Sequence, residues 1–315
     1  MVHIARKHMV AQDICSLELR PLAGQQLPAF APGAHIDVHL PGGLVRQYSL
    51  CNDCAEPDRY VIAVLHDSAS RGGSAAVHRL LQVGQQLCIS TPRNHFALHA
   101  QARRHWLLAG GIGITPLLSM ARCLAREGGD FTLHYSARTG ERMAFAQDIA
   151  SAPWASQAQL YVDQAQGQSS LPLQSLLAKP VPDTHLYVCG PKGFMDAVLE
   201  TARAAGWPPQ QLHWEFFVAE AVQQELARGF EVELASTGQV VQVQPAQTVV
   251  EALASIGVCI PTSCEQGICG TCLTRVVAGE PEHHDLYLTE AEQAVGDQFT
   301  PCCSRAKSAR LVLDL

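Results

Sequence analysis

Up to about residue 100 the chain alternates apolar and polar positions in short runs: HIDVHL (35–40), VRQYSL (45–50), RYVIAVLH (59–66) and QQLCIS (85–90). Turn-forming stretches such as LPGG and NDCAEPD separate them. A period of two, broken at short intervals by Gly, Pro, Asn and Asp, predicts an antiparallel sheet or small β-barrel. The period changes at His105. HWLLAG predicts a buried strand, and TPLLSMARCLAREG a helix with Thr115 as N-cap and Pro116 at its first position. FTLHYSA (131–137), QLYVD (159–163) and HLYVCG (185–190) predict further strands, and GFMDAVLETARAAG (193–206) a second helix. Strands alternating with helices imply a parallel sheet, hence a Rossmann-like α/β domain over about 101–218. AEAVQQELARG (219–229) is polar without a strong apolar face and predicts a linker. FEVELASTGQVVQVQ (230–244) then predicts a hairpin, and TVVEALASIG (248–257) a helix with a Thr248–Glu251 capping box and a terminating Gly257.

Composition sharpens this picture. The 315 residues, 47% hydrophobic and 16% charged, suit two or three globular domains with real cores. A net charge of −7 argues against a nucleic-acid or anionic-membrane surface. The opening MVHIARKHMVAQDIC is interrupted by charge, so no leader is expected there. The longest apolar run, Trp106–Met120, is too short and too rich in Gly and Pro to span a bilayer. A cytoplasmic location is the expectation. Of twelve cysteines, four fall between 259 and 272; in a reducing compartment such crowding favours metal over disulfides. Cys15, Cys51, Cys54, Cys88 and Cys123 are scattered and read as small apolar residues.

Cys264, Cys269 and Cys272 stand as C-x4-C-x2-C, with 29 residues between Cys272 and Cys302. That is the plant-type spacing for a [2Fe–2S] centre. Gly267 and Gly270 let the backbone fold close enough for its N–H groups to approach sulfur. Structural zinc asks for two short cysteine or histidine pairs where this segment has one, and stands as the alternative. Cys302 and Cys303 are adjacent, and one of them should complete the set; Cys259 reads as buried rather than bound. The segment 230–315 resembles plant-type ferredoxins, and PCCSRA fits their last-cysteine pattern with Cys302 as ligand.

A cluster needs an electron source. GGIGITP (110–116) follows a strand and opens a helix, where a pyrophosphate can meet backbone N–H groups; an ordinary tight turn would use the same residues. CGPKGFM (189–195) ends another strand, where α/β sheets bind ligands. RQYS (46–49) and RGGS (71–74) supply an arginine and a Gly-rich helix start, a phosphate cradle or else a surface strand and a loop.

RQYS, RGGS, GGIGITP, CGPKGFM, HWEFF and CEQGICGTC…PCCSRA occur in the order seen in the phthalate dioxygenase reductase and vanillate demethylase reductase family, which the whole chain resembles. The resemblance implies an FMN-binding β-barrel (1–100), an NADH-binding Rossmann-like domain (101–218), the linker, and a β-grasp [2Fe–2S] ferredoxin domain (230–315). Together they would reduce the oxygenase component of a Rieske-type aromatic-ring or O-demethylating system. It implies that Arg46 holds the flavin phosphate, Tyr48 packs along the flavin and Ser49 bonds near N5. Gly72, Gly73 and Ser74 would bind the FMN phosphate. Gly110, Gly111, Gly113 and Thr115, with Cys189, Gly190 and Pro191, would line the nicotinamide path. Phe217 resembles the aromatic that shields the flavin, with core packing as its rival, and Glu215 stands beside it. Arg138 and Arg142 could instead pair a 2′-phosphate of NADPH. Hydride transfer needs no general acid or base, so no histidine has to be catalytic, and His283–His284 reads as solvated loop. A plant-type cluster at about −400 mV would favour export to a Rieske centre by roughly 10⁴. The oxygenase component would dock transiently near the cluster loop. A reductase for a cytochrome P450, or a cluster-based redox sensor, are the competing readings; a sensor has no need of the flavin motifs.

Overall fold

A computed structural model of the chain describes residues 1–67, 72–163, 171–217 and 228–315. Two compact units emerge, 1–217 and 218–315. Most of the expected linker lies outside the described residues.

The first unit opens with β1 (Val2–Ala11), β2 (Ile14–Pro21), β3 (His35–His39), β4 (Val45–Ser49), β5 (Tyr60–Leu65), α1 (Gly73–Leu80) and β6 (Gln86–Leu87). An antiparallel sheet of order β5-β2-β1-β6 faces the β3–β4 hairpin. Isolated bridges such as Val38↔Ile89 and Leu50↔Ile62 tie these strands into the expected barrel. Ile4, Leu17, Leu19, Ile36, Val38 and Ile62 are fully buried in its core. The two longest strands, β1 and β2, were not among the four runs singled out above. In β1 only Val2 and Ile4 are buried, so its second half carries no apolar signal. Lys7 there donates to the carbonyls of Val77, His78 and Leu81 at 2.7–2.9 Å, neutralising the C-terminus of α1.

The unit continues with β7 (Arg104–Gly110), α2 (Ile114–Glu127), β8 (Asp130–Ala137), α3 (Ala146–Ser151), β9 (Ala158–Val162), α4 (Leu173–Leu176), β10 (Thr184–Cys189), α5 (Lys192–Ala204) and β11 (Leu212–Glu215). All pairings are parallel, in the order β11-β10-β7-β8-β9. The order reverses between β7 and β10, so the crevice at their carboxyl ends is the ligand-binding position of such sheets. GGIGITP and CGPKGFM sit there. One expectation is corrected. A 3-10 turn over Gly111–Gly113 runs straight into α2, so the helix starts before Thr115 and has Gly113 at its N-cap. Thr115 is buried and its hydroxyl donates to Ile112 O at 3.1 Å.

The second unit holds β12 (Phe230–Leu234), β13 (Val240–Val243), α6 (Val249–Ser255), β14 (Thr274–Ala278), β15 (Pro281–Glu282), α7 (Glu290–Val295), β16 (Gln298–Phe299), β17 (Arg305–Ala306) and β18 (Arg310–Leu313). The sheet order is β13-β12-β18-β14-β16, with β12 and β18 parallel and the other pairs antiparallel, a β-grasp arrangement. Val232, Leu253, Phe299, Leu311 and Leu313 are fully buried in its core. Both halves of the Thr248–Glu251 capping box form, contributing about 1 kcal/mol to a short helix. Gly257 follows it at φ 84°, where a side chain would be strained.

Candidate functional sites

At the switch point of the parallel sheet the two glycine turns touch backbone to backbone. A Cβ on Gly113 would collide with the Cys189 carbonyl and lie 2.6 Å from Gly190 N. Gly110 and Gly190 face the ring of Phe194, a residue the sequence reading passed over. Its signal was its place in the first turn of the helix after Pro191. Gly111 is different: its φ is 52° and open space surrounds its Cα. Of the glycines in the motif, it is the one against which a ligand can lie. Pro191 is the N-cap residue of α5.

Two groups converge on β4. Arg46 lies along Gly73 in the first turn of α1, where an added Cβ would stand 2.7 Å from Arg46 Cγ and 2.9 Å from Nε. A guanidinium is thereby set at a helix N-terminus whose preceding Gly72 is left-handed, φ 90°. A cation beside the first-turn N–H groups of a helix is the donor set a phosphate requires. Ser74 belongs to the same turn but is already engaged, its hydroxyl shared with the Asp67 N–H and carbonyl. Tyr48 packs against the barrel core, and burial raises its phenol pKa well above the ordinary value. Phe217 packs against the core of the α/β half.

Ser49, at the end of β4, donates to Glu215 Oε2 at 3.4 Å across 166 positions of sequence. Glu215 ends β11 directly opposite Cys189 of β10. Burial pushes the Glu215 carboxyl up to about 8 against a weaker opposing effect of the Ser49 bond. Burial likewise raises the Cys189 thiol. The three groups therefore form a polar but uncharged end to the crevice at neutral pH. The histidine stack of His99, His185 and His213 lies elsewhere, His185 and His213 at the amino ends of their strands. Arg142 pairs with Asp13 at 3.1 Å, while Arg138 is exposed.

In the second unit Cys264, Cys269, Cys272 and Cys302 are all buried. Cys264 hydrogen-bonds with Cys269 and Cys302, and Cys302 with Cys272. Cys264 Sγ also accepts from the N–H groups of Gln266 and Ile268 at 3.4 Å, and Cys269 Sγ from Thr271 N at 3.5 Å. The Cys269 and Cys302 thiols and these N–H groups hold Cys264 far below the ordinary thiol pKa. Cysteine sulfurs gathered under backbone donors fit an iron–sulfur centre. Among the described residues no three His, Cys, Asp or Glu side chains are placed to hold one metal ion. A binuclear centre does not require it, since its four cysteines are shared between two irons. Cys303 hydrogen-bonds with Cys302 but not with Cys264, and its sulfur also lies 3.2 Å from Thr300 Oγ1 and 3.8 Å from Ser304 Oγ. Gly267 and Gly270, at φ 70° and 67°, are needed twice over, because Cβ atoms there would run into Cys303 Sγ and the Tyr287 ring.

Two expectations fail here. Cys259 is exposed, not buried. His283–His284 is not solvated loop: the segment folds back onto the cysteine loop, with Leu286 N donating to Gly267 O at 2.9 Å. Buried Asp285 organises it, accepting from Leu288 N, Ser304 Oγ and His283 Nδ1. His283 Nε2 is left buried without a partner. A polar HH pair gives no hint of this, since the buried carboxylate that draws it inward lies in the next residue but one.

Comparison with known proteins bears on both units. Residues 232–307 match the model of the 2Fe-2S iron-sulfur cluster binding domain. Residues 89–212 match that of the N-terminal domain of dimethylamine monooxygenase subunit DmmA-like proteins. The vanillate O-demethylase oxidoreductase of Pseudomonas sp. (strain HR199 / DSM 7063) is 53% identical over 314 residues, 100% of this chain and 99% of that protein. The phthalate dioxygenase reductase of Burkholderia cepacia is 41% identical over 313 residues, 99% of this chain and 96% of that one. A solved phthalate dioxygenase reductase, described as a modular structure for electron transfer from pyridine nucleotides to [2Fe-2S], superposes with TM-score 0.82 at 40% identity. It covers 100% of this chain and 97% of its own.

Proposed function

The chain belongs to the family of the vanillate O-demethylase oxidoreductases and phthalate dioxygenase reductases, and from that premise we propose that it is the reductase component of a Rieske-type oxygenase system. It is an NADH-dependent flavin and iron–sulfur oxidoreductase that passes electrons from NADH through FMN and [2Fe–2S] to an oxygenase component. The observation that carries the reading is the joint presence of a phosphate cradle at Arg46–Gly73 and four buried cysteines, Cys264 and Cys269 among them under backbone donors, on one chain. Residues 1–100 form the flavin module, 101–218 the nucleotide module and 230–315 the cluster module. No helix among the described residues is long and apolar enough to cross a membrane; in our reading the protein works in the cytoplasm.

FMN, when bound, converts the electron pair of a hydride into single electrons, and the cluster carries these one at a time. The protein's residues supply position and electrostatics. Arg46 and the α1 N-terminus, with Gly72, Gly73 and Ser74, hold the flavin phosphate, and Tyr48 packs beside the ring. Gly111 admits the dinucleotide at the switch point, with Gly110, Gly113, Thr115, Gly190 and Pro191 shaping the turns around it. Ser49, Glu215 and Cys189 surround the reacting end and Phe217 covers it. Because Glu215 is uncharged at pH 7, it does not favour the cationic oxidised nicotinamide over the neutral reduced one. Cys264, Cys269, Cys272 and Cys302 hold the cluster. Arg142, occupied by Asp13, leaves NADH as the donor in our reading. The holoprotein should absorb as flavin plus iron–sulfur and bleach anaerobically with NADH; protein carrying no iron or labile sulfide would overturn the proposal. Gly73→Val places a branched side chain where Arg46 lies, and FMN retention measured by equilibrium dialysis should weaken by about tenfold or more.

The oxygenase component docks near the cluster loop. Residues 218–315 hold five Lys and Arg against thirteen Asp and Glu, a net of −8, while residues 1–217 are near neutral at +1. Leu286 and Tyr287, 48% and 38% exposed, adjoin the loop, Tyr287 lying over Gly270. A small apolar contact in an acidic field suits a basic partner that must release. Raising salt from 50 to 500 mM should slow reduction of the oxygenase about tenfold and leave reduction of a neutral quinone unchanged. Tyr287→Ala should lower kcat/KM for the oxygenase alone; equal loss with the quinone would count against this docking face.

A further inference from the structure

We propose that Cys54 and Cys123 form a peroxide-sensitive dithiol that closes to a disulfide, with Arg126 holding the two sulfurs together. This site is separate from the electron-transfer path and does not depend on that reading.

The two cysteines come from different halves of the first unit, Cys54 from the loop after β4 and Cys123 from α2. Their thiols converge on one atom: Arg126 Nη2 donates to Cys54 Sγ at 3.4 Å and to Cys123 Sγ at 3.5 Å. Cys123 also hydrogen-bonds with Cys54. The loop is already fastened to the helix, so closure needs little movement. Ser119 Oγ donates to Asn52 O at 2.9 Å, Arg122 Nη1 to Cys51 O at 2.7 Å, and Arg126 Nε meets the Asp53 carboxylate at 3.2 Å.

The surroundings assign different roles. Cys54 is half-buried and open to a small oxidant, and a guanidinium N–H donates to its sulfur, placing a hydrogen-bond donor where negative charge develops when the sulfur is attacked or attacks. Asp53 and Glu127 share that cation and temper it. Cys123 is buried and its thiol donates to Glu127 Oε1 at 3.4 Å. Burial, the Cys54 sulfur and the Glu127 carboxylate raise it to about 12, so it remains a thiol. Cys51, two positions from Asp53, is the contrast. It is fully buried, its thiol donates to Val61 O at 3.3 Å, and the Arg122 guanidinium bonds its carbonyl rather than its sulfur.

The chemistry balances with hydrogen peroxide as the oxidant. The Cys54 thiol gives its proton to solvent and the sulfur attacks one oxygen; the O–O bond breaks, and the leaving hydroxide takes up that proton to become water, so sulfur is oxidised to sulfenic acid and peroxide reduced. Cys123 sulfur then attacks Cys54 sulfur, its proton passes to Glu127, and the S–O bond breaks to release the second hydroxide. That hydroxide takes the proton from Glu127. Two thiols and one peroxide thus yield one disulfide and two waters.

The test treats holoprotein with hydrogen peroxide, blocks remaining thiols, and maps tryptic peptides by mass spectrometry. Residues 47–59 joined to 123–126 through Cys54, and released by dithiothreitol, is the expected product. Cys54→Ser should abolish the link, and Arg126→Gln should slow its formation about tenfold. A link through Cys51, Cys54 driven to sulfinic acid while Cys123 stays free, or an unchanged rate in Arg126→Gln overturns the proposal. The wild-type map decides the pairing by itself should a variant fold poorly.

Discussion

Cys302→Ser protein is expected to keep NADH-driven reduction of a neutral quinone while its delivery of electrons to an oxygenase falls about a thousandfold, equivalent to roughly 4 kcal/mol of barrier. The quinone takes electrons at the flavin, so only the step through the cluster is removed. The reason for choosing residue 302 is local. Its thiol bonds to both Cys264 and Cys272, whereas the neighbouring Cys303 sulfur bonds to Cys302 alone among the cysteines and otherwise to Thr300 and Ser304. Cys303→Ser should therefore retain iron, labile sulfide and oxygenase reduction within a factor of about two, because serine can keep hydroxyl bonds of the same kind. Iron and sulfide content of the two variants, measured on freshly purified protein, separates the possibilities. Loss of iron from Cys303→Ser with retention in Cys302→Ser would reverse the ligand assignment.

What the sequence conveyed depended on how local each feature is. The C-x4-C-x2-C run, the capping box at Thr248 and the period-two strands of the barrel declare themselves within ten residues, and they folded as their patterns require. β1 did not, because its outer half is polar and its Lys7 is satisfied only by carbonyls seventy or more positions away. Thr115 followed by Pro116 has the appearance of an N-cap; a 3-10 turn upstream had already begun the helix, and a turn of three residues leaves no periodic trace. Cys54 and Cys123 each read as a small apolar residue, and nothing along the chain indicates that one arginine sits on both. Ser49 and Glu215 were each legible as site residues by resemblance. Their mutual bond, and the burial that alters the carboxylic acid, arise only when β4 and β11 meet.

That burial leads to the second large effect. An acid whose folded pKa exceeds its unfolded value binds its proton more tightly in the folded state, so its stabilising contribution is complete below the unfolded pKa of 4.5 and is lost as pH rises through about 8. Among the described residues Glu215 has no cation in contact to offset ionisation, and its one hydrogen bond comes from the neutral Ser49 hydroxyl. At about 1.36 kcal/mol per pKa unit, ionising it in place costs on the order of 4 kcal/mol. For a unit of 217 residues that corresponds to roughly 5–10 °C of Tm after allowance for relaxation around the new charge. Glu215→Gln keeps the shape and an acceptor for Ser49 but cannot ionise. Between pH 6 and pH 9 the wild-type holoprotein should lose about half of this additional stability while the variant does not, and the two should converge only as pH falls below 4.5. The same titration should appear in hydride transfer, since a carboxylate formed above pH 8 would favour the oxidised nicotinamide and slow its release. Parallel melting curves across pH 6–9 for the two proteins would show that Glu215 is solvated or paired, and the uncharged crevice end would have to be abandoned.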